Sequence, residues 1–469
     1  MIRSTPLVAV LLFAVAFSAQ VVTAQETIRF EDAINIALDK NIDLQKAANQ
    51  LELQRSNVLR EKGDFLPNLN LSTRPNRSWG LTFDQNSSQL ISERSDLISF
   101  GANSSMTIFN GFDDMSSYAS AKYLLEADEY AYDRAQQTVF FNVIQAYLQV
   151  ILDQEQVQIR TEDVESQAQQ LARIQEFTRL GARPISDLYQ QEAATANSEL
   201  LLLEAERAVQ LSDIRLIQVL ELDPLQDYSF IAPPSDSLAL GIVNYDLDAL
   251  LARSLESRLD RMALRSEIAA ASQDIRSAKS SRYPTVNASA GASTSYFSLR
   301  QQPLLDANGA PIIDSEGNVV TETIPFGDQF SDNRNWSVGF NVSVPIFNGF
   351  QVRNAVDRAK ITHRNRALDL QNLEQNIALE VRQAYLDYQT SAKRLDVTEK
   401  QLRSATQAID VEQERYNVGA STLVELQQAR ASFVDAASQR AQAVFQFVFQ
   451  SRVIDYYLGV LDPQDAVIR

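Results

Sequence analysis

The sequence predicts a mainly helical chain with a small β part, built from two copies of a unit that contains a helix, two strands and a long helical hairpin. Three observations predict this fold class. The string Ile-Phe-Asn-Gly-Phe begins at Ile108 and again at Ile346, 238 residues later. Residues before each copy alternate between apolar and polar side chains, which is typical of strands. About 70 residues without a strong helix breaker follow each copy, enough for a helix of roughly 105 Å.

Other landmarks support an internal duplication. Gly181 and Gly419 are also 238 residues apart, whereas Pro67 and Pro284, which precede the strands, are only 217 apart. The second unit therefore has a longer connection between its strands. That connection contains QQPLLDANGAPIIDSEGNVV, a polar stretch with Gly and Pro that we expect to be exposed.

Each element can be placed in order along the two units. Apolar residues at helical spacing, with no Gly or Pro between them, predict one helix from Ile28 to about Lys62 and another from Leu247 to Ser280. The polar stretch from Asp84 to Asp96 is expected to separate the first two strands. The first repeat is predicted at 25–225, with strands at about 68–83 and 97–109 and a helical hairpin at 111–222. A linker (226–245) leads to the second repeat at 246–463, with strands at about 285–297 and 334–347 and a helical hairpin at 350–458. A tail (464–469) follows.

The first 24 residues have the pattern of a secretory signal peptide. Arg3 is followed by an apolar run from Leu7 to Phe17 and by the small-residue cleavage signal Val22-Thr23-Ala24. No later segment has the roughly 18 consecutive apolar residues of a membrane helix. We therefore expect any contact with a bilayer core to be made by β-strands.

Composition excludes several classes of function. A formal charge of −18 argues against a nucleic-acid partner; it fits basic partners or cationic solutes, or simply the solubility of a large surface. The chain has no cysteine, so it has no disulfide or thiolate metal site. His363 is the single histidine, and no carboxylate spacing singles out a catalytic pair. We predict no enzymatic activity, no cofactor and no metal.

Four strands are too few to close a barrel, which needs about eight. An open sheet would leave its edges and apolar residues exposed, so the strands must pack on a core or be completed by further chains. Apolar rows between Val139 and Ile151 form a stripe broad enough for two neighbours. A closed cylinder of helices and a long antiparallel bundle both fit that stripe.

Four motifs in this order resemble the TolC-like outer-membrane efflux channel family over essentially the whole mature chain. TIRFEDAINIALDKNIDLQ resembles its opening helix, FLPNLNLS and YPTVNASAG resemble its strand entries, and YNVGASTLVELQQARASF resembles a hairpin turn. The resemblance implies a homotrimer in the outer membrane of a Gram-negative-type cell. Each chain would give four strands to a 12-stranded barrel set in outer-membrane lipid, continued by a periplasmic α-helical barrel.

The resemblance also implies a function and partners. Such channels form the exit duct of a tripartite export system and receive substrates from a periplasmic adaptor protein and an inner-membrane pump, either proton-driven or ATP-driven. Small-molecule or drug efflux is favoured over a type I protein secretion channel. A soluble periplasmic coiled-coil scaffold, with the strands packed as a small sheet, is the alternative from another class.

Two sets of hairpin residues follow from the resemblance. Adaptor contacts are expected at the tips, at Leu180, Gly181, Ala182, Val418, Gly419 and Ala420. Gly181 and Gly419 are also explained as residues that accept positive φ after a helix. A periplasmic gate is expected at Arg183, Asp187, Tyr416, Ser421, Glu425 and Gln428.

One member of the family has an arginine in place of Ser421 and an aspartate in place of Gln428. Arg183 occupies the equivalent place in the first repeat, which suggests that the positive charge has moved to the other hairpin. We hypothesise that Arg183 pairs with Glu425 or Asp187 to hold the tip shut. A capping box that begins at Thr422 is the competing explanation for Glu425.

The repeated string marks the strand-to-helix transition. Phe109 and Phe347 are expected at its strand ends, with Gly111 and Gly349 supplying the backbone freedom for the change of direction. The sequence thus predicts two transitions of the same kind in each chain.

Overall fold

The structure is a computed structural model that describes residues 26–84, 89–231 and 241–461. The predicted signal peptide (1–24), residues 232–240 of the predicted linker and the predicted tail (464–469) lie outside the described residues.

The helices repeat in order and in length. The first unit contains α1 (Phe30–Lys40), α2 (Ile42–Gly63), α3 (Asp113–Arg179) and α4 (Ile185–Val219). The second contains α5 (Leu247–Ser257), α6 (Leu259–Ser280), a short α7 (Phe326–Asp332), α8 (Gln351–Asn417) and α9 (Leu423–Tyr457). Leaving α7 aside, the lengths are 11, 22, 67 and 35 residues in both units.

The prediction of a single helix before each strand pair is wrong. Both helices break at one extended residue, Asn41 in the first unit and Arg258 in the second. The Asn41 side chain accepts a hydrogen bond from the Leu44 amide at 3.0 Å, so it begins a new helix without Gly or Pro. Arg258 makes the same break and is held by ion pairs with Asp260 and Glu380.

The strands also differ from the prediction. Four long strands are present, β2 (Asn70–Asp84), β3 (Gln89–Phe109), β5 (Thr285–Phe297) and β8 (Asn335–Ser343). Four strands of three residues each were not predicted: β1 (Glu26–Ile28), β4 (Tyr228–Phe230), β6 (Gln301–Pro303) and β7 (Thr321–Thr323). β1 pairs in parallel with β4, and β6 pairs with β7 inside the predicted exposed connection, which also contains α7.

Two predicted strand ends are wrong for identifiable reasons. β3 begins at Gln89 rather than near 97, because its polar first half stays in register with β2 and the Arg77–Asp96 ion pair bridges the two strands. β8 ends at Ser343 rather than at Phe347, since Pro345 has no amide to donate to a neighbouring strand.

The long strands form one antiparallel sheet in the order β2-β3-β5-β8 with two chemically different faces. One row across the sheet joins Leu71, Ala102, Ala292 and Trp336, and the next row joins Asn70, Asn103, Gly291 and Ser337. The alternation continues along the strands. One face is therefore largely apolar and the other is lined by Ser, Asn and Gly.

The apolar core lies midway along the molecule, where the strap of β1 and β4 and the helices α1 and α5 surround the middle of α3 and α8. Tyr147 of α3 is fully buried there, between Phe30 and Phe230. Its hydroxyl donates to the Ile231 carbonyl at 2.7 Å. Above this core α3 and α8 lead to the sheet, and below it they lead to the hairpin turns.

Candidate functional site: hairpin turns and strand-to-helix transitions

The two hairpin turns have the same backbone geometry. After α3, Gly181 adopts φ +73° and the Ala182 amide bonds the Phe177 carbonyl at 2.8 Å. After α8, Gly419 adopts φ +76° and the Ala420 amide bonds the Arg415 carbonyl at 2.7 Å. Both are left-handed helix ends of the Schellman type, which glycine accepts without strain.

The predicted adaptor-contact residues all lie at these turns and are exposed: Leu180, Gly181, Ala182, Val418, Gly419 and Ala420. Leu180 and Val418 expose 62% and 77% of their surface. Two apolar side chains thus project into solvent at the end of the molecule.

Arg183 lies between the two hairpins. Its guanidinium carbon sits 4.6 Å from the centre of the Tyr416 ring on the second hairpin, and a guanidinium nitrogen is 3.9 Å from the Asp187 carboxylate on its own hairpin. Burial raises the pKa of Tyr416 above its usual range, although the Arg183 charge acts in the opposite direction. The cation–π contact joins the hairpins and was not foreseen from the sequence.

The remaining predicted gate residues face elsewhere. Glu425 accepts a hydrogen bond from the Thr422 amide at 2.8 Å and another from Ser421 Oγ at 2.9 Å, so its carboxylate serves the start of α9. Ser421 also contacts Glu412. Gln428 is exposed on the next turn of α9. Of the two partners expected for Arg183, the structure brings Asp187 near it and commits Glu425 to the capping box.

A buried polar layer lies between α3, α4 and α9, within about 27 Å of the first turn at 1.5 Å per helical residue. Its members are Asp163, Gln167, Gln170, Gln191, Thr195 and Ser198, all buried. Gln191 Nε2 donates to Gln167 Oε1 at 2.6 Å, and Ser198 Oγ donates to an Asp163 oxygen at 2.7 Å. Gln427 of α9 joins the layer by donating to Gln191 at 3.3 Å. In the sequence, glutamines lie at the spacing of helix residues that face a core, and this pattern could have indicated the layer.

The strand-to-helix transitions are alike in backbone but not in surroundings. Gly111 and Gly349 adopt φ +71° and +62°, and the following phenylalanines, Phe112 and Phe350, are also left-handed at +69° and +64°. Phe109 ends β3, whereas Phe347 lies four residues beyond the end of β8.

Gly111 is the more crowded of the two transition glycines. A Cβ atom on Gly111 would come within 2.5 Å of the Ser280 carbonyl, whereas one on Gly349 would meet nothing within 4 Å. Among the residues that the structure describes, the second transition therefore lacks the neighbour that the first one has.

The described residues contain no group of three or more His, Cys, Asp or Glu side chains placed to hold a metal ion. In the part of the chain that the structure describes, none of the helices is long and apolar enough to cross a membrane.

Known outer membrane proteins resemble this chain in sequence. A TolC outer membrane protein of Vibrio cholerae is 21% identical over 434 residues, which cover 92% of this chain and 91% of that protein. The pyoverdine export outer membrane protein OpmQ of Pseudomonas aeruginosa is 25% identical over 342 residues, covering 71% of this chain and 64% of that protein.

A solved structure of CusC shares the fold, with a TM-score of 0.75 at 18% identity and 92% coverage of both chains. The model of the outer membrane efflux protein family matches residues 33–221 and 250–459, which is most of the chain and both of its repeats. The chain therefore belongs to the outer membrane efflux protein family, and its location is the outer membrane.

Proposed function

We propose that three copies of this chain form an outer-membrane exit duct of a tripartite export system. The observation that supports this most is a set of exposed apolar residues whose equivalents in the other repeat are buried. A single chain is then an open arc, which further copies complete into a tube. The outer-membrane location argues against the soluble periplasmic scaffold.

Equivalent apolar residues on the long helices α3 and α8 differ in exposure. Leu148 of α3 is 4% exposed, and its repeat equivalent on α8, Leu386, is 49% exposed. Phe141 of α3 stacks on Tyr456 at 4.5 Å between ring centres, whereas its equivalent Leu379 is 66% exposed. The second repeat covers α3 within the chain, whereas in the described part of the chain Leu379 and Leu386 of α8 have no such cover.

The helices that follow the hairpin turns, α4 and α9, differ in the same way. Ser438 and Ala441 of α9 are buried, and the Ser438 carbonyl accepts a hydrogen bond from Gln156 of the first repeat at 3.2 Å. Their equivalents on α4 are leucines, Leu200 and Leu203, which are more than half exposed. Burying apolar surface of this kind stabilises association by roughly 25 cal/mol per Å². The α8 face of one copy and the α4 face of the next thus have matching chemistry.

The sheet fits the same closure. β2 and β8 are its edge strands, and among residues 26–84, 89–231 and 241–461 each has a strand partner on one side only. In a ring, β8 of one copy would pair with β2 of the next as β3 pairs with β5. Three copies give twelve strands, with the apolar face toward lipid and the Ser, Asn and Gly face toward the lumen.

The duct is tested by assembly and by conductance together. Leu379→Glu places a charge at the proposed contact, where a buried leucine stabilises by about 1.5–3 kcal/mol, so the purified protein should lose its trimer in mild detergent and its channel in planar bilayers. Val411→Glu is the matched control, because Val411 is exposed on the same helix and its repeat equivalent, Arg173, is exposed as well. A wild-type protein that is monomeric and conducts no ions contradicts the proposal.

The hairpin tips are the proposed docking site of the periplasmic adaptor. Exposed Leu180 and Val418 offer apolar contacts, and Gly181 and Gly419 leave the backbone accessible. Val418→Glu should abolish export in cells while bilayer conductance of the purified channel stays unchanged. Loss of conductance in the same variant would show that the residue serves the channel itself.

Arg183 is the proposed latch at the closed tip, through Tyr416 on the other hairpin and Asp187 on its own. Arg183→Ala should raise the conductance of the reconstituted channel, because a cation–π contact of about 0.5–2 kcal/mol is lost in each of three copies. Arg179→Ala is the control, since Arg179 pairs with exposed Glu176 on its own helix. Equal conductance of both variants and the wild type would reject the latch.

Small molecules are the proposed cargo, delivered by an inner-membrane pump, and protein secretion is the alternative. A strain that lacks the gene distinguishes them. Greater sensitivity to toxic compounds supports small-molecule export, whereas loss of a protein from the medium without such sensitivity supports secretion.

A further inference from the structure

The junction between the two repeats inside the chain has a counterpart at the place where two copies of the chain would meet. Inside the chain, α3 of the first repeat packs against the end of α9. Arg134 lies 4.0 Å from the centre of the Tyr456 ring and donates to the Tyr456 carbonyl at 3.3 Å. Gln137 Nε2 donates to the Gly459 carbonyl at 3.2 Å, and Thr138 Oγ1 is 3.1 Å from the Tyr456 hydroxyl.

Arg258 fills the space beside this junction. It is 4% exposed and pairs with Asp260 at 2.5 Å and with Glu380 at 2.8 Å. Its guanidinium carbon is 5.9 Å from the centre of the Tyr457 ring. The inner junction is thus built from arginines, carboxylates and tyrosines.

The equivalent place in the first repeat has different residues and an open groove. Asn41 replaces Arg258, Asn142 replaces Glu380, and Gln218 replaces Tyr456. Because Asn41 is short, the space that Arg258 fills in the second repeat remains a groove of about 520 Å³ here. Its polar lining has two charged residues, Arg215 and Glu221, and six uncharged ones: Asn41, Asn142, Gln145, Gln149, Ser212 and Gln218.

The backbone at the rim of the groove keeps the geometry that the inner junction uses. Gly459, whose carbonyl accepts from Gln137, has φ +67°, and its equivalent Glu221 has φ +52°. A non-glycine residue is uncommon in this region. The Glu221 carbonyl is therefore presented as the Gly459 carbonyl is.

The residues that would fill the groove are found on α8. The equivalents of Arg134, Gln137 and Thr138 are Asn372, Gln375 and Asn376, and all three are exposed. Gln375 thus keeps the glutamine of Gln137, which bonds the Gly459 carbonyl in the inner junction. Asn372 stands where the inner junction has Arg134.

We propose that α8 of a second copy occupies this groove, with Gln375 donating to the Glu221 carbonyl and Asn376 bonding Gln218. The proposal rests on the ring of the proposed function and names the contact that closes it. Arg134 thus joins the repeats inside each chain, whereas the proposed contacts from α8 to the next chain are made by the amides of Gln375 and Asn376.

A hydrogen bond donated by a glutamine amide is lost when that glutamine becomes a glutamate, because a carboxylate accepts but does not donate. Gln375→Glu places a carboxylate against the Glu221 carbonyl, in a groove whose lining also contains Arg215 and Glu221. We expect it to raise the concentration at which half the trimer dissociates by at least about tenfold. Gln407→Glu is the matched control, because Gln407 on α8 and its equivalent Gln169 are both exposed, and it should leave this concentration unchanged.

Two further variants make the contact specific. Gln218→Arg combined with Gln375→Glu should recover the trimer, because the introduced charges meet only between copies. The chain has no cysteine, so Asn376→Cys with Gln218→Cys should give a disulfide-linked trimer on a non-reducing gel, whereas either cysteine alone should not.

The outcomes separate this contact from the duct itself. The amide contact is overturned if the wild-type trimer conducts, Gln375→Glu dissociates like Gln407→Glu, and the cysteine pair does not cross-link. The proposed duct would remain supported by that result. Recovery by the double charge variant together with the cross-link establishes the contact.

Discussion

Tyr147 provides a direct measure of how firmly the β1–β4 strap is attached to α3. Tyr147→Phe keeps the ring and its edge contact with Phe30 at 5.3 Å, but removes the hydroxyl that donates to the Ile231 carbonyl at 2.7 Å. Burial raises the pKa of Tyr147 far above its usual range, so the hydroxyl remains a donor at every working pH.

The size of the effect follows from what is left behind. The Ile28 carbonyl, 3.2 Å from the Tyr147 hydroxyl, still accepts from the Ile231 amide at 3.3 Å, but the Ile231 carbonyl loses its bond. Because Ile231 is 48% exposed, water can reach its carbonyl, and the loss is that of one hydrogen bond, about 0.5–1.5 kcal/mol. Local opening of the strap should therefore become up to about tenfold more frequent, since a factor of ten corresponds to about 1.4 kcal/mol.

Hydrogen exchange followed by mass spectrometry measures this opening in the peptide that contains 226–231. Tyr385→Phe is the control, because its hydroxyl bonds only Gln389 on the same helix and is half-buried. Exchange in the strap should accelerate in Tyr147→Phe and stay unchanged in Tyr385→Phe. Equal exchange in the two variants would refute the assignment of this hydrogen bond as the anchor of the strap.

Three further changes test other parts of the fold. Burial raises the pKa of Asp213 to about 6 from 3.8, so the folded chain loses stability as the pH rises from about 4 to 6. In thermal melts, Asp213→Asn should remove this pH dependence of stability and stabilise the fold at pH 7.5 by about 1 kcal/mol. Thr422→Ala removes the capping box of α9 and should accelerate limited proteolysis at the second turn, with a loss of about 1 kcal/mol, whereas Ser186→Ala at the uncapped first turn should not. Arg258→Asn copies Asn41 into the second repeat and leaves two carboxylates without their partner, so urea unfolding should show a loss of about 3 kcal/mol.

The duplicated order of elements could be predicted because it depends on local patterns. Alternation at period two indicates the strands, and long runs without Gly or Pro indicate the helices. Gly181 and Gly419 mark the turns, since a helix of this length ends where a left-handed residue is available.

What the sequence did not predict depends on contacts between distant residues. The break at Arg258 is stabilised by Glu380, more than a hundred residues away, and no local signal replaces that partner. The first half of β3 is strand because β2 pairs with it, although its own residues are polar. The Arg183–Tyr416 contact also joins the two repeats, and only the offset between them could have suggested it.

The left-handed phenylalanines at the transitions were missed for a different reason. A bulky residue at positive φ is unfavourable by itself, so no local rule predicts it. Phe112 and Phe350 adopt the same conformation in both repeats and each packs edge-on against the preceding phenylalanine, Phe109 or Phe347. This edge-on contact, between residues three apart in each repeat, stabilises the left-handed backbone there.

The buried polar layer near the turns has a consequence for movement. Separating the helices there exchanges amide–amide hydrogen bonds for bonds to water, which changes the free energy little. Separating them around Tyr147 would instead expose apolar surface at roughly 25 cal/mol per Å². A small apolar cluster of Ile174, Tyr416, Leu423 and Leu426 still joins the hairpins beside the turns. We therefore expect the helices to separate more easily along the glutamine-rich stretch than around Tyr147.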